Sequence, residues 1–450
     1  MKTSNRFDLT QGSIIPTLIR LSMPLMATAF VQMAYNLTDI FWIGKMGVEQ
    51  VAATGTIGYY IWLASSVVQI PRIGVSVLAS QSFGKKDLAK VQRIVENGLQ
   101  MALALSISYA SFLYLARGPL IGFFHLSENV ANYANEYLSI ILLGMPFVFM
   151  NPILSTTYTS IGNSKTPFRI NALGLLANIL LDPILIFGLG PIPSLGVKGA
   201  ALATSLANLL VTTLFLLTMR REYELLSRVR IQAKTDWELW KRMAKLGFPS
   251  SLQNSIHAFI SILLTRLVAK SGSAAVAVYS TGSQIESINW LTTEGVSFAL
   301  TAFVGQNYGA RLKERTLTGI RLGLRLMISI GLVATILMVV GRNFWFTLFI
   351  SDSQEALRLG AIYLLILAAS QMFMSLEIGS TGIFHGVGET RAPSMVGIVF
   401  NLLRIPLALL LLPYYGAIGV WVAITISSII KGIVNPILLK QFLKKKISWS

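Results

Sequence analysis

Asp39 closes a set of four polar residues, Gln32, Tyr35, Asn36 and Asp39, in an otherwise apolar stretch. Their spacing is i, i+3, i+4, i+7, so a helix carries all four on one face. A second set follows far along the chain: Asn178 and Asp182, four residues apart, with Pro183 directly behind and Thr204 in the next apolar stretch. An ionisable group at mid-bilayer costs at least ~2.5–3.5 kcal/mol on insertion scales, which makes Asp39 and Asp182 functional candidates by default. Together with Thr204 these residues would form one polar cluster with two carboxylates at its centre. Other chemistry is poorly supplied. There is no cysteine, and the three histidines are His125, His257 and His385. No His-Glu-x-x-His run, phosphate-binding glycine loop or convincing Ser/His pair appears, so an enzyme is not expected.

A polar stripe on an apolar helix must face protein or water rather than lipid. The whole chain has the composition this requires. Of its 450 residues, 54% are apolar and 12% charged, against about 25% charged in a typical soluble chain. Each crossing consumes roughly 20 apolar residues. Spans are predicted near 14–43, 51–82, 92–116, 132–160, 167–190, 196–219, 243–269, 275–306, 317–347, 357–385, 393–413 and 416–440. Ala27-Thr28-Ala29 has the look of a signal-peptidase site. The repeat described next runs through it, so 14–43 is read as a retained helix. A proline inside the fifth span frees a carbonyl one turn back, which predicts a bend around a polar pocket.

The net charge of +18 raises nucleic-acid binding as a possibility. The basic residues argue against it, because they crowd into alternate loops. Lys85, Lys86, Lys90 and Arg93, then Lys165 and Arg169, then Arg220 through Lys245, then Arg311, Lys313 and Arg315, and finally Lys440 to Lys446 are separated by loops with few. That is the positive-inside pattern of a multi-pass protein with both termini in the cytoplasm.

The chain is duplicated at an offset of 225. Pro24 meets Pro249, Gly47 meets Gly272, Gln81 meets Gln306, Lys86 meets Arg311 and Gly98 meets Gly323. Later Asn178 and Pro183 share their spacing with Asn401 and Pro406. The expected division is an N-lobe over 1–219, a basic linker over 220–242 and a C-lobe over 243–450. Six spans per half give a parallel repeat, hence a pseudo-twofold axis along the membrane normal and a substrate path between halves. The repeat is also a control. Asp39 meets Leu264, Tyr35 meets Ile260 and Asp182 meets Ile405, so the carboxylates are peculiar to the first half. The second half has Gln253, Asn254, His257, Gln284, Glu286, Asn289, Glu294, Glu377 and Arg404 instead. Glu377 and Arg404 are expected to form a buried ion pair, and Glu286 or Glu294 to hold a cationic substrate. Met33 and other methionines offer an adaptable apolar wall.

Taken together, the two six-span halves, the stripe ending Asn36-Leu37-Thr38-Asp39, the run Leu181-Asp182-Pro183 and the loop Gly162 to Pro167 resemble the MATE family of multidrug and toxic-compound extruders, in particular its prokaryotic DinF-like branch. The resemblance covers essentially the whole chain. It implies an antiporter of a bacterial or archaeal cytoplasmic membrane that exports amphiphilic organic cations as H⁺ or Na⁺ enters, with no other cofactor. A monomer is expected. Asp39 would take the coupling-ion role, with Asp182, Asn178 and Thr204 around it. Gln32, Met33, Tyr35 and Asn36 would meet substrate from the first half, and Gln253, His257, Gln284 and Glu294 from the second. One departure stands out. His257, eight residues after Pro249, replaces a seventh-span glutamate of the Na⁺-coupled branch, which weakens a C-lobe Na⁺ site and favours the N-lobe. The alternative is a flippase for a lipid-linked precursor from the same wider superfamily; such proteins usually have additional spans and a cationic central cavity, whereas Arg404 is the only obvious deep arginine here.

Overall fold

The computed structural model describes residues 8–222, 227–349 and 354–446. Twelve long helices account for most of them: α1 Ile14–Gly44, α2 Val48–Gly84, α3 Leu88–Leu115, α4 Glu128–Ser160, α5 Lys165–Phe187, α6 Val197–Glu222, α7 Trp237–Ala269, α8 Ser273–Gly309, α9 Lys313–Val340, α10 Gln354–Gly386, α11 Arg391–Tyr415 and α12 Ala417–Lys446. Short helices at Arg117–Gly122 and Arg342–Trp345 follow α3 and α9. The predicted ninth span, drawn to 347, therefore ends early, at Val340, where Gly341 breaks the run. Among the described residues, the strand-like pairing amounts to a single bridge between Leu189 and Ile192.

Eleven of these helices are long and apolar enough to cross a membrane. The exception is α8, diluted by Gln284, Glu286, Asn289 and Glu294. Two of these are satisfied from α10: Asn289 Nδ2 donates to Gln371 Oε1 at 2.9 Å, and Gln371 Nε2 donates to Glu286 Oε1 at 3.1 Å. Internal partners of this kind let a polar helix lie in a membrane protein.

The duplication is visible in the backbone. Helices α2 and α3 begin and end 225 residues before α8 and α9. Lys86 and Arg311, also 225 apart, both take left-handed backbone, with φ of 60° and 58°. Such a conformation is strained for a side chain with a Cβ, so its recurrence marks one turn built twice.

The chain divides into two compact units, Ala27–Ser251 and Leu9–Met26 with Leu252–Ser450. The divisions fall inside α1 and α7, two residues beyond Pro24 and Pro249. In the first unit α4 packs against α2, α3 and α6. Its core includes Ile57, Leu99, Phe149, Tyr158 and Phe215. In lipid, helices associate through close packing rather than hydrophobic exclusion, and small residues permit it. Gly98 is such a place, where an added Cβ would overlap Val75 of α2. The second unit repeats the device with Gly323 and Leu300, and there α10 packs against α8, α9 and α12.

The segment before α7, predicted as a basic linker, is held along α3. Gln92 Nε2 donates to the Arg228 carbonyl at 2.9 Å, and Glu96 accepts from the Arg230 amide at 3.0 Å. Gln100 donates to the Ile231 and Ala233 carbonyls, and Arg93 pairs with Asp236 at 2.8 Å.

Candidate cation-coupling site

Gly174, Asn178 and Asp182 lie four residues apart on α5 and are all buried. They form one face of the helix. A Cβ at Gly174 would overlap Val211 of α6, so the glycine is what lets α5 settle against α6. One turn on, Asn178 Nδ2 donates to Asp182 Oδ1, a further turn along, at 3.3 Å, and both residues are wholly inaccessible. From α6, Thr204 Oγ1 donates to Asp39 Oδ2 at 3.3 Å. Tyr35, one turn before Asp39 on α1, donates its hydroxyl to the Thr204 carbonyl, also at 3.3 Å. Asp39 lies close enough to Asn178 and Asp182 to interact with both. All four residues expected to hold a coupling ion thus converge within the first unit.

Two carboxyls side by side in an apolar interior call for a compensating cation or a shared proton. No Lys, Arg or His is among the groups acting on either one. Among the described residues, three buried oxygens, Asp39 Oδ1, Asn178 Oδ1 and Asp182 Oδ2, have no geometric hydrogen-bond partner. Their donor set suits a proton, and with the Thr204 hydroxyl it also suits a hard cation.

Tyr137 of α4 escaped the sequence reading. It is buried beside Tyr35 and within the field of both carboxyls. Tyr133 and Tyr137 stand one turn apart near the polar start of α4, and only packing shows that Tyr137 meets the acids. Asn208 was legible as the residue four after Thr204, whereas Asn151 was not. Asn208 Nδ2 donates to the Thr204 carbonyl at 2.9 Å, and Asn151 Nδ2 donates to Asn208 Oδ1 at 3.1 Å. Gln32 and Tyr35 join Asn171 and Asn208 around a cavity of about 40 Å³. Met33 is half-buried, and Asn36 is exposed.

In the second unit, Gln253 and His257 lie one turn apart on α7. Both reach α11: Gln253 crowds Gly397, and His257 Nδ1 is 3.5 Å from Asn401 Nδ2. Gln284 is exposed and Glu294 half-buried on α8. The counterparts of Tyr35 and Asp39, Ile260 and Leu264, are buried in an apolar core. The predicted Glu377–Arg404 ion pair is corrected. Glu377 pairs with Lys431 of α12 at 2.9 Å, and Arg404 donates to Ser427 at 2.7 Å and Ser428 at 3.0 Å. Lys431 won because it approaches from the helix that packs on α10, whereas α11 touches α10 little. Glu286 and Glu377 still share the field of Arg404 and Lys431, so this cluster has two acids and two bases.

Long apolar helices enclosing an uncompensated acidic pair define a polytopic membrane protein of the transporter class. The family model for MatE matches residues 24–184 and 249–410, its two copies starting at Pro24 and Pro249, and the chain belongs to the MATE family. A probable multidrug resistance protein NorM of Thermotoga maritima is 24% identical over 410 residues, covering 90% of this chain and 88% of its own. A FAD transporter of Shewanella oneidensis is also 24% identical, over 95% of each chain. A crystal structure of a MATE protein in the bent conformation superposes with a TM-score of 0.91 at 22% identity, over 100% of this chain and 99% of the other. The twelve-helix, two-lobe MATE fold is thereby established.

Proposed function

We propose that this protein is a proton-coupled multidrug antiporter that exports small amphiphilic organic cations by alternating access. One observation carries the reading: half-buried Asp39 and buried Asp182 stand together with no basic partner and, with Asn178, three unpaired oxygens among the described residues. The second unit offers no comparable demand for a cation, because Glu286 and Glu377 are balanced by Arg404 and Lys431. The relatives named for multidrug resistance support drugs as the cargo.

In this scheme Asp39 binds a proton from the outside, which reorganises its contacts with Thr204, Asn178 and Asp182. The first helix then shifts and releases the substrate; the residues proposed to meet it are Gln32, Met33, Tyr35 and Asn36 of the first half and Gln253, His257, Gln284 and Glu294 of the second. Rocking of the N-lobe (1–219) against the C-lobe (243–450) completes the cycle. One proton exchanged for one monovalent cation moves no net charge, so a pH gradient alone drives it. Loading both carboxyls would add about 2.3 kcal/mol per 100 mV, roughly a 40-fold concentration ratio. The reading places a monomer in the cytoplasmic membrane with both termini inside the cell.

Efflux from proteoliposomes, with pH and sodium gradients imposed separately, tests this. A proton gradient without sodium is expected to drive transport of a cationic dye, and Asp39→Asn to abolish it. An absolute sodium requirement would move the coupling ion to a Na⁺ site on Asp39, Asn178, Asp182 and Thr204. Lipid scrambling without dye transport would point to a flippase instead.

A further inference from the structure

A line of amides and hydroxyls leads away from the acidic pair. Thr204, Asn208 and Thr212 recur every four residues on α6, so they share one face. Thr204 donates to Asp39, and Asn208 donates back to the Thr204 carbonyl. Asn151 of α4 then bridges Asn208 to Thr212, whose hydroxyl donates to Asn151 Oδ1 at 2.7 Å. Eight residues of helix rise about 12 Å. The line therefore carries polar groups toward the end of α6 that holds Arg220 and Arg221. On α5, Asn171 stands seven residues before Asn178, near the end that holds Lys165 and Arg169. Between Asn171 and Asn208 lies the cavity of about 40 Å³, bounded also by Gln32 and Tyr35. An ordered water needs only about 10–15 Å³ of such space and two to four polar partners.

Carboxamides do not themselves give up protons, so this line can only orient a carrier. We infer that the cavity is a water site through which the proton of Asp39 leaves toward the basic end of α5 and α6. The inference rests on the proton-coupled reading above. In the step proposed, the O–H bond of Asp39 breaks and a cavity water accepts the proton as hydronium. The electron pair remains on the carboxylate, where the Thr204 hydroxyl already donates. The Gln32 and Asn171 side-chain oxygens face the hydronium in this scheme, Asn208 Oδ1 being held by Asn151, and Tyr35, one turn from Asp39, borders the side through which the proton enters.

Asn171→Leu replaces a polar wall with apolar bulk, whereas Asn171→Ser keeps polarity and leaves room for water. Val31→Phe fills the same space from α1, should the leucine variant fold poorly. The readouts are substrate-triggered proton release, followed with a pH dye in proteoliposomes, and equilibrium dye affinity at fixed pH. Asn171→Leu or Val31→Phe is expected to slow release several-fold with affinity unchanged, and Asn171→Ser to restore the rate. Release as fast as in the wild type with the cavity filled would overturn the inference. Gln32 and Tyr35 border both this cavity and the proposed drug site, so the discriminating result is rate lost without affinity; affinity falling in step with rate would also overturn the inference. Wild-type protein that moves dye only with sodium, releasing no proton, would remove the coupling reading and this route with it. That failure shows in the unsubstituted protein and is thereby distinct.

Discussion

Thr204 Oγ1 donates to Asp39 Oδ2 across 165 residues of sequence, at 3.3 Å. The hydroxyl favours the ionised carboxylate, and its own carbonyl is held by Tyr35 and Asn208. At 3.3 Å the contact is long for a hydroxyl donor, so its loss should be felt in coupling rather than in folding. Thr204→Val should therefore slow proton-driven dye efflux several-fold and alter its pH profile while membrane expression persists. Thr204→Ser should restore the profile; an unmoved profile in the valine variant would show that the hydroxyl does not touch the coupling step.

Asp182→Asn removes one acid from the pair but keeps its shape. Proton-driven dye efflux should fall to the level of empty vesicles while membrane expression persists. Transport at the wild-type rate would leave Asp182 with a purely structural role.

Lys431 and Glu377 form a buried pair at 2.9 Å. Breaking such a pair from one side costs about 3–5 kcal/mol, whereas replacing both partners with apolar groups is often tolerated. Lys431→Met should lower the detergent-solubilised melting temperature sharply, and adding Glu377→Met should recover much of the loss. Equal loss in single and double variants would contradict the pairing.

Gly98 and Gly323 receive Val75 and Leu300 at matching places of the repeat. Gly98→Val and Gly323→Val overpack both units and should each cost about 1–3 kcal/mol, read as lower thermal stability. Because the two sites are equivalent, a large effect at one and none at the other would refute the shared packing.

Much of the architecture was legible from residue order. The stripe at 32, 35, 36 and 39 and the Asn178–Asp182 spacing gave helix faces, because the period of a helix is local. The 225-residue offset was legible as matched prolines and glycines, and it reappears in the left-handed turns at Lys86 and Arg311. Helix ends near glycine were harder to place, as Gly341 shows.

What the sequence by itself determined is which side chains share a helix face and that Asp39 and Asp182 have apolar counterparts, Leu264 and Ile405, in the other copy of the repeat, since both follow from spacing alone. Which faces meet was decided only in three dimensions. Gly174 lets α5 approach α6, Tyr137 joins the acids from α4, and Glu377 takes Lys431 rather than Arg404. The reason is that contacts between helices depend on how side-chain volumes interlock across tens or hundreds of residues, and no local period encodes that.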